Sequence, residues 1–226
     1  PLSPEAMYHP DTFSTSREKY YEVLFTVQNK VKRAYGRGRR EGDISVQHNL
    51  NHYGPHLSIW VLVSTLDFSD LSKIYALLDI QSQTRVAKML GVDTTTIDLR
   101  TRQRGGSRRR GHPFESWLRQ LTLVRNKCAH HGRLWNTEVI PASSASLRGI
   151  AGLETLPGEQ STRIYGVLLM LAKILETVSP GSSWASKVRL LVHEHEVRNP
   201  CIRYPSMGFP DGWATESIWN PGGNQE

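Results

Sequence analysis

The sequence has little of what usually betrays an export, membrane or disulfide protein. No stretch approaches the ~20 consecutive apolar residues of a spanning helix; the best run, Ile164 to Ala172, contains Gly166 and is closed by Lys173. No basic-then-apolar leader ends in a small-residue cleavage site. Two cysteines, Cys128 and Cys201, are too few for a disulfide framework or a four-cysteine zinc site. Period-two alternation never persists beyond a few residues, and no segment repeats at a fixed interval. Walker loops and nucleophile elbows are missing. The expectation is a reduced, soluble, cytoplasmic protein of all-α class. The chain opens on Pro1, as expected of a fragment or trimmed product.

Charge is present in excess of one sign, and it is uneven. The 226 residues carry 28 Lys and Arg against 21 Asp and Glu, a net +7. Lys30 to Arg40 contributes +6 without an acid, through Lys30, Lys32, Arg33, Arg37, Arg39 and Arg40. Arg100 to Arg110 contributes another +6, through Arg100, Arg102, Arg104, Arg108, Arg109 and Arg110. The rest of the chain therefore stands at −5. Arginine interleaved with Gly36, Gly38, Gly105 and Gly106 suits loops that follow a phosphate backbone. Solvated loops without a ligand are the plain alternative; two such runs favour a polyanion.

Residues 1–16, with Pro1, Pro4 and Pro10, read as an irregular lead-in, residues 17–199 as a helical domain, and residues 200–226 as a tail. Tyr20, Tyr21, Leu24, Val27 and Val31 mark a first helix over 17–33. Asn49 to Pro55 reads as turn chemistry, and Leu57 to Leu66 as a buried helix. Ser69 or Asp70 is the expected N-cap of the next helix, and Gly91 ends the short one after it. Asn136 to Gln160 reads as a long loop. Thr162 to Val178 is apolar nearly all round, hence a central helix, followed by Trp184 to Glu196 with Trp184, Val188 and Leu191 inward. Met207, Phe209, Trp213 and Trp219 should dock the tail on the body.

Phe114 to His131 is the clearest amphipathic segment, with Gly132 expected as its C-terminal cap. At ~100° per residue, Phe114, Trp117, Leu118, Leu121, Val124 and Cys128 fall in an arc of about 120°. Arg125 lands inside it. An unpaired buried guanidinium is expensive, so an anion approaches this face, the helix borders an open cleft, or a core carboxylate pairs with Arg125. His130 and His131 lie about 140° and 240° round from Arg125. One straight helix does not assemble the three groups, so either its end unwinds or a second copy completes the site. Asn126 is four residues from His130, close enough for its amide to orient the ring. Neither the adjacent His130-His131 pair nor His193/His195 has metal-ligand spacing, so no metal or cofactor is expected. Cys128 reads as core rather than nucleophile.

The stretch Arg125-Asn126-Lys127-Cys128-Ala129-His130-His131-Gly132-Arg133-Leu134-Trp135-Asn136 resembles the signature of the Abi-like family, the AbiD/AbiF group of phage abortive-infection proteins. The resemblance extends to His52-Tyr53-Gly54-Pro55, Trp60, Leu71-Ser72-Lys73-Ile74-Tyr75, Ser116-Trp117-Leu118, Met207-Gly208-Phe209-Pro210 and Trp213. It implies a place in the HEPN superfamily, helical-bundle ribonucleases with Arg, a polar residue, and His four to six positions after the Arg. Here those are Arg125, Asn126 and His130, with His131 within the same spacing. The resemblance implies a HEPN-like bundle and metal-independent RNA cleavage by 2′-hydroxyl attack in a toxin-like defence system. Its partners would be RNA, a second copy of the chain, and an RNA or protein antitoxin. Arg37, Arg39, Arg40 and the Arg100 to Arg110 cluster would bind RNA backbone, while Arg133, Trp135 and Asn136 would shape the site. Two features depart from the family: a further N-terminal helical region is not recognisable, and the Arg100 to Arg110 loop is longer and more basic. A HEPN fold that binds RNA or a partner without cutting is the competing reading.

Overall fold

Side-chain caps set where several of the helices begin. The computed structural model describes residues 6–36, 42–97, 112–199 and 204–220. Among them are eight α-helices and one pair of two-residue strands, an all-α chain. The helices are α1 (Arg17–Tyr35), α2 (Ile44–Tyr53), α3 (Ile59–Thr65), α4 (Phe68–Leu77), α5 (Ile80–Met89), α6 (Pro113–Ala129), α7 (Ile164–Val178) and α8 (Trp184–Arg198). Strands β1 (Ala142–Ser143) and β2 (Gln160–Ser161) pair antiparallel after α6. The chain divides into two compact units, Pro1–Gln83 and Thr84–Glu226.

In the first unit, Ser16 caps α1 by accepting the Lys19 N–H at 3.4 Å, and Gly36, at φ 97°, ends it. The α1 stripe of Tyr20, Val23 and Val27 is buried with Met7, Val46, Leu57, Leu62 and Leu77. Each such side chain contributes roughly 1.5–3 kcal/mol on burial. Asn49 to Tyr53 is helix rather than turn. Asp43 caps α2 through the amides of Ser45 (2.8 Å) and Val46 (3.1 Å), and α2 runs on to Gly54. A side-chain cap outweighs weak interior propensity at Asn49 and Asn51. The next helix is shorter and wetter than its composition predicts: α3 buries Leu62 but leaves Trp60 68% exposed. The α4 cap is Asp67, not Ser69 or Asp70; Asp70 returns the contact as its capping-box partner.

Lys30 does not belong to a free basic run. Its ammonium bonds the carboxylates of Asp67 and of Asp70, the latter at 2.8 Å. Those bonds raise the Lys30 pKa and lower that of Asp67.

In the second unit, His112 caps α6 and Pro113 occupies its first turn. Phe114, Trp117, Leu118, Leu121 and Val124 are buried along one stripe. The segment from Asn136 to Gln160 is more than a loop. Leu147, Ile150, Leu153 and Leu156 are buried in its turns, and β1 fastens to α6. The Trp117 indole N–H donates to the Ser143 carbonyl at 2.7 Å, and the Ser143 N–H donates to Ser116 Oγ at 2.9 Å. Gln120 Nε2 donates to the carbonyls of Ile140 (2.6 Å) and Ser161 (2.8 Å). Helix α7 is mostly buried from Ile164 to Ala172 and surfaces at its end, where Val178 is exposed. A methyl at Gly166 would stand 2.1 Å from Ser161 Oγ, so only glycine lets this turn approach β2. On α8 only Ala185 is buried; Leu191 is 58% exposed, opposite to its expected inward setting. Residues 204–220 form short 3-10 turns whose Phe209, Trp213 and Trp219 rings gather about Tyr165, at centroid distances of 5.0, 6.5 and 6.2 Å. Burial pushes the Tyr165 phenol up to about 12, and the hydroxyl pairs with Thr155 Oγ1 at 2.7 Å.

Candidate functional site

The apolar stripe of α6 fixes the helix; burial then stops abruptly. Val124 is 8% exposed, whereas Arg125, Cys128, Ala129, His130 and His131 are all exposed. The last turn therefore projects beyond the core. This corrects one expectation: Cys128 is an exposed free thiol rather than core; Arg125 is exposed, which sets aside only its pairing with a core carboxylate. Among the described residues Arg125 forms no ion pair. Its Nη1 donates to Asn126 Oδ1 at 3.0 Å. The Asn126 amide is thereby turned toward the guanidinium and not toward an imidazole. What links Asn126 to His130 is backbone: the His130 N–H donates to the Asn126 carbonyl at 3.0 Å.

The helix end closes as a Schellman turn, one residue earlier than the glycine suggests. His130 is the C-cap, at φ −98° and ψ 20°. His131 takes the left-handed conformation at φ 54°. The His131 N–H donates to the Cys128 carbonyl (3.0 Å) and the Gly132 N–H to the Lys127 carbonyl (2.7 Å). Glycine at 132 answers a different need, since a Cβ there would lie 2.6 Å from Lys127 Cγ and 3.0 Å from the Lys127 carbonyl. His131 thus leaves the helical wheel and carries a backbone conformation that costs a non-glycine residue about 1 kcal/mol or more. Asn136, at φ 46°, is the other such residue among those described.

The segment leaving this turn is tied down from two directions. Trp135 packs edge-on against Tyr204, with centroids 5.9 Å apart. Asn136 Oδ1 accepts from Arg163 Nη1 at 3.5 Å, while Arg163 Nη2 meets Glu138 at 3.0 Å. Residues 125–136 hold Arg125, Lys127 and Arg133 and no carboxylate. Chemically, the stretch offers two guanidinium groups, an ammonium and two exposed imidazoles, a local charge of +3 suited to a phosphodiester.

Arg37, Arg39 and Arg40, and Arg100, Arg102, Arg104, Arg108, Arg109 and Arg110, lie outside the described residues. Among the described residues no group of three His, Cys, Asp or Glu is placed to hold a metal ion, and no helix is long and apolar enough to cross a membrane.

A concave feature belongs to the first unit alone. A cavity of about 640 Å³ is lined by His48, Tyr53, His56 and Trp60, with Ile44, Ser45, Asn49, Leu57, Ser58 and Val61. Reading 49–55 as turn hid it. The available signal was Asp43 as an N-cap, which extends a helix through His48, His52 and Tyr53.

A family model described as Abi-like protein matches residues 3–136, more than half of the chain and all of the stretch from Arg125 to Asn136. No curated protein and no solved structure matches significantly.

Proposed function

From the premise that the chain belongs to the Abi-like family, which suggests a phage-defence role by abortive infection, we propose that it is a metal-independent endoribonuclease acting as the toxin-like component of such a system. The observation that carries this reading is the exposed end of α6. There an arginine without a carboxylate partner among the described residues and two imidazoles lie exposed within one stretch of seven residues, Arg125 to His131. The Arg-polar-His spacing that resembles HEPN nucleases falls on the same stretch.

In the proposed reaction, His130 accepts the proton of a ribose 2′-hydroxyl as its oxygen attacks the adjacent phosphorus. The 2′-O–P bond forms and the P–O5′ bond breaks. The departing O5′ takes a proton from an imidazolium, leaving a 2′,3′-cyclic phosphate and a 5′-hydroxyl. Arg125 neutralises charge growing on the pentacoordinate phosphorus. Asn126 holds the guanidinium in place, a role supported by its 3.0 Å contact. Two copies of the chain would set one Arg and one His from each protomer around a shared phosphodiester. The Arg100 to Arg110 segment would raise affinity without reading sequence.

The test is incubation of the protein with labelled RNA and the matching DNA, with and without EDTA. RNA should be cut and DNA spared, equally in chelator, with cyclic-phosphate ends. Cleavage of DNA at a similar rate, or activity restored only by one metal, refutes the proposal. Binding of RNA without any cutting would instead leave a non-catalytic module.

A further inference from the structure

The cavity of the first unit has no part in that chemistry, yet its walls are built from side chains that usually seek partners. Tyr53 is 73% and Trp60 68% exposed, while Val46, Leu57 and Leu62 of the same helices and their connection are buried. The rings of α2 are nevertheless fixed. His48 stacks on His52 with centroids 4.3 Å apart and 27° between planes, and Tyr53 meets His48 edge-on at 5.8 Å. His52 Nδ1 contacts the His48 carbonyl at 2.9 Å, which assigns the proton to that nitrogen. On the other side His56 stacks on Tyr8, at 4.2 Å and 12°. Asn49 fastens the two walls: its Nδ2 donates to Ser58 Oγ at 3.2 Å and its Oδ1 accepts the Ser58 N–H at 3.3 Å.

We propose that this cavity holds an unpaired nucleobase of RNA, its face laid on the Trp60 and Tyr53 rings. The imidazoles of His48 and His56 and the Ser45 hydroxyl meet its edge. The inference rests on the ribonuclease reading and adds to it a contact with base rather than phosphate. Volume fits, since small-ligand sites span roughly 300–1,000 Å³. Charge fits as well. Among the described residues no carboxylate lines the cavity, and the exposed Lys32 and Arg33 of α1 end where α2 begins. There the Asp43 N–H donates to the Ala34 carbonyl at 2.7 Å, and Gln47 Nε2 donates to that of Tyr35 at 2.9 Å. The exposed imidazoles of His48 and His56 stand among the exposed Tyr53 and Trp60 rings, which offers a flat ligand both stacking faces and hydrogen-bonding edges. Paired bases are stacked on one another and offer no free face, so the occupant is single-stranded.

The probe is a labelled 12-nucleotide RNA strand with every 2′-hydroxyl methylated, which removes the nucleophile and leaves the bases intact. Binding is measured by anisotropy for the strand alone and annealed to its complement, with molecular mass and Tm followed alongside. Trp60→Ala and Tyr53→Ala should each weaken binding of the single strand roughly 5- to 100-fold, the range of base–aromatic stacking. Trp60→Phe should keep most of the affinity, and Trp60→Leu, equally apolar but without a π face, should not. Should Trp60→Ala lower Tm, the Phe and Leu variants carry the comparison. Unchanged affinity in both alanine variants overturns the inference, as does equal weakening of duplex binding. A change of oligomeric mass at constant RNA affinity also overturns it, by assigning the face to a second copy. Failure of the nuclease reading gives a different pattern. A protein that binds through Trp60 but never cuts unmodified RNA keeps the base site and loses the catalysis. A protein that cuts while its Trp60 variants bind normally does the reverse, and no binding of the strand removes the site.

Discussion

Acidification should loosen the second unit through one buried imidazole. His112 is 1% exposed. Its Nδ1 accepts the Phe114 N–H at 3.2 Å, capping α6, and its Nε2 lies 2.8 Å from Thr94 Oγ1. Burial pushes its pKa down from 6.5 to about 4. In the unfolded chain the ring keeps the ordinary value of about 6.5. Between these values the unfolded state binds the extra proton, so stability falls as pH falls. The stabilisation is whole above about pH 6.5, declines at about 1.4 kcal/mol per unit, and is lost by about pH 4. The total is about 3 kcal/mol, a large share of the ~5–15 kcal/mol that holds typical domains. Protonating Nδ1 also removes the acceptor that caps the helix. His112→Asn keeps a capping oxygen and cannot titrate. Urea unfolding of both proteins from pH 7.5 to 4, followed by tryptophan fluorescence, provides the assay, since five of the six tryptophans share the unit of His112. The difference between the two curves should shrink by about 3 kcal/mol on acidification. Glu216, whose burial raises its pKa, works in the opposite sense but equally in both proteins. Parallel curves would refute the reasoning.

Four other outcomes are expected. Arg125→Ala should change stability by no more than about 0.5 kcal/mol, because the side chain is exposed, while cleavage falls ~10²- to 10³-fold; Trp117→Ala should instead lose ~3–5 kcal/mol. A large drop in Tm for Arg125→Ala would make that residue structural. His130→Ala should slow cleavage ~10²- to 10⁴-fold and His131→Ala less, whereas His131→Gly should stabilise the chain by about 0.5–1 kcal/mol by relieving a left-handed backbone; the reverse ranking in rate assays would exchange the two histidines. Replacing Arg108, Arg109 and Arg110 with Ser should flatten the salt dependence of RNA affinity, and an unaltered slope would leave those residues merely solvated. Specific activity should fall on dilution in step with molecular mass, and full activity per chain in the monomer would reject a shared site.

Where burial is periodic, the sequence was transparent. The α6 stripe from Phe114 to Val124 and the all-round apolar α7 were readable because packing on one or all faces leaves a 3.6-residue trace. The end of α6 was misread for a physical reason: periodicity says which face is apolar, not how far the covering segments extend. Arg125 and Cys128 continue the stripe geometrically, but among the described residues nothing covers them. Gly132 is not the cap itself, because glycine also serves close approach, here to Lys127, and the C-cap and positive φ fall to His130 and His131. Lys30 counted toward a basic run until tertiary contacts paired it with Asp67 and Asp70. Such long-range pairing leaves no local pattern.

The match to the family ends at Asn136, but the bonds that support its signature do not. Ser143 holds Trp117, Ile140 and Ser161 hold Gln120, Tyr204 braces Trp135, and Arg163 holds Asn136. Divided after Asn136, the chain would yield one piece bearing the α6 turn with its helix stripped of cover, and another bearing the cover with nothing to hold. If the proposed reaction is right, each would be silent alone, and competence would return only on reassembly. The proposed activity, distributed in this way, would behave as a two-key device, whose second key lies outside the stretch by which the family is recognised.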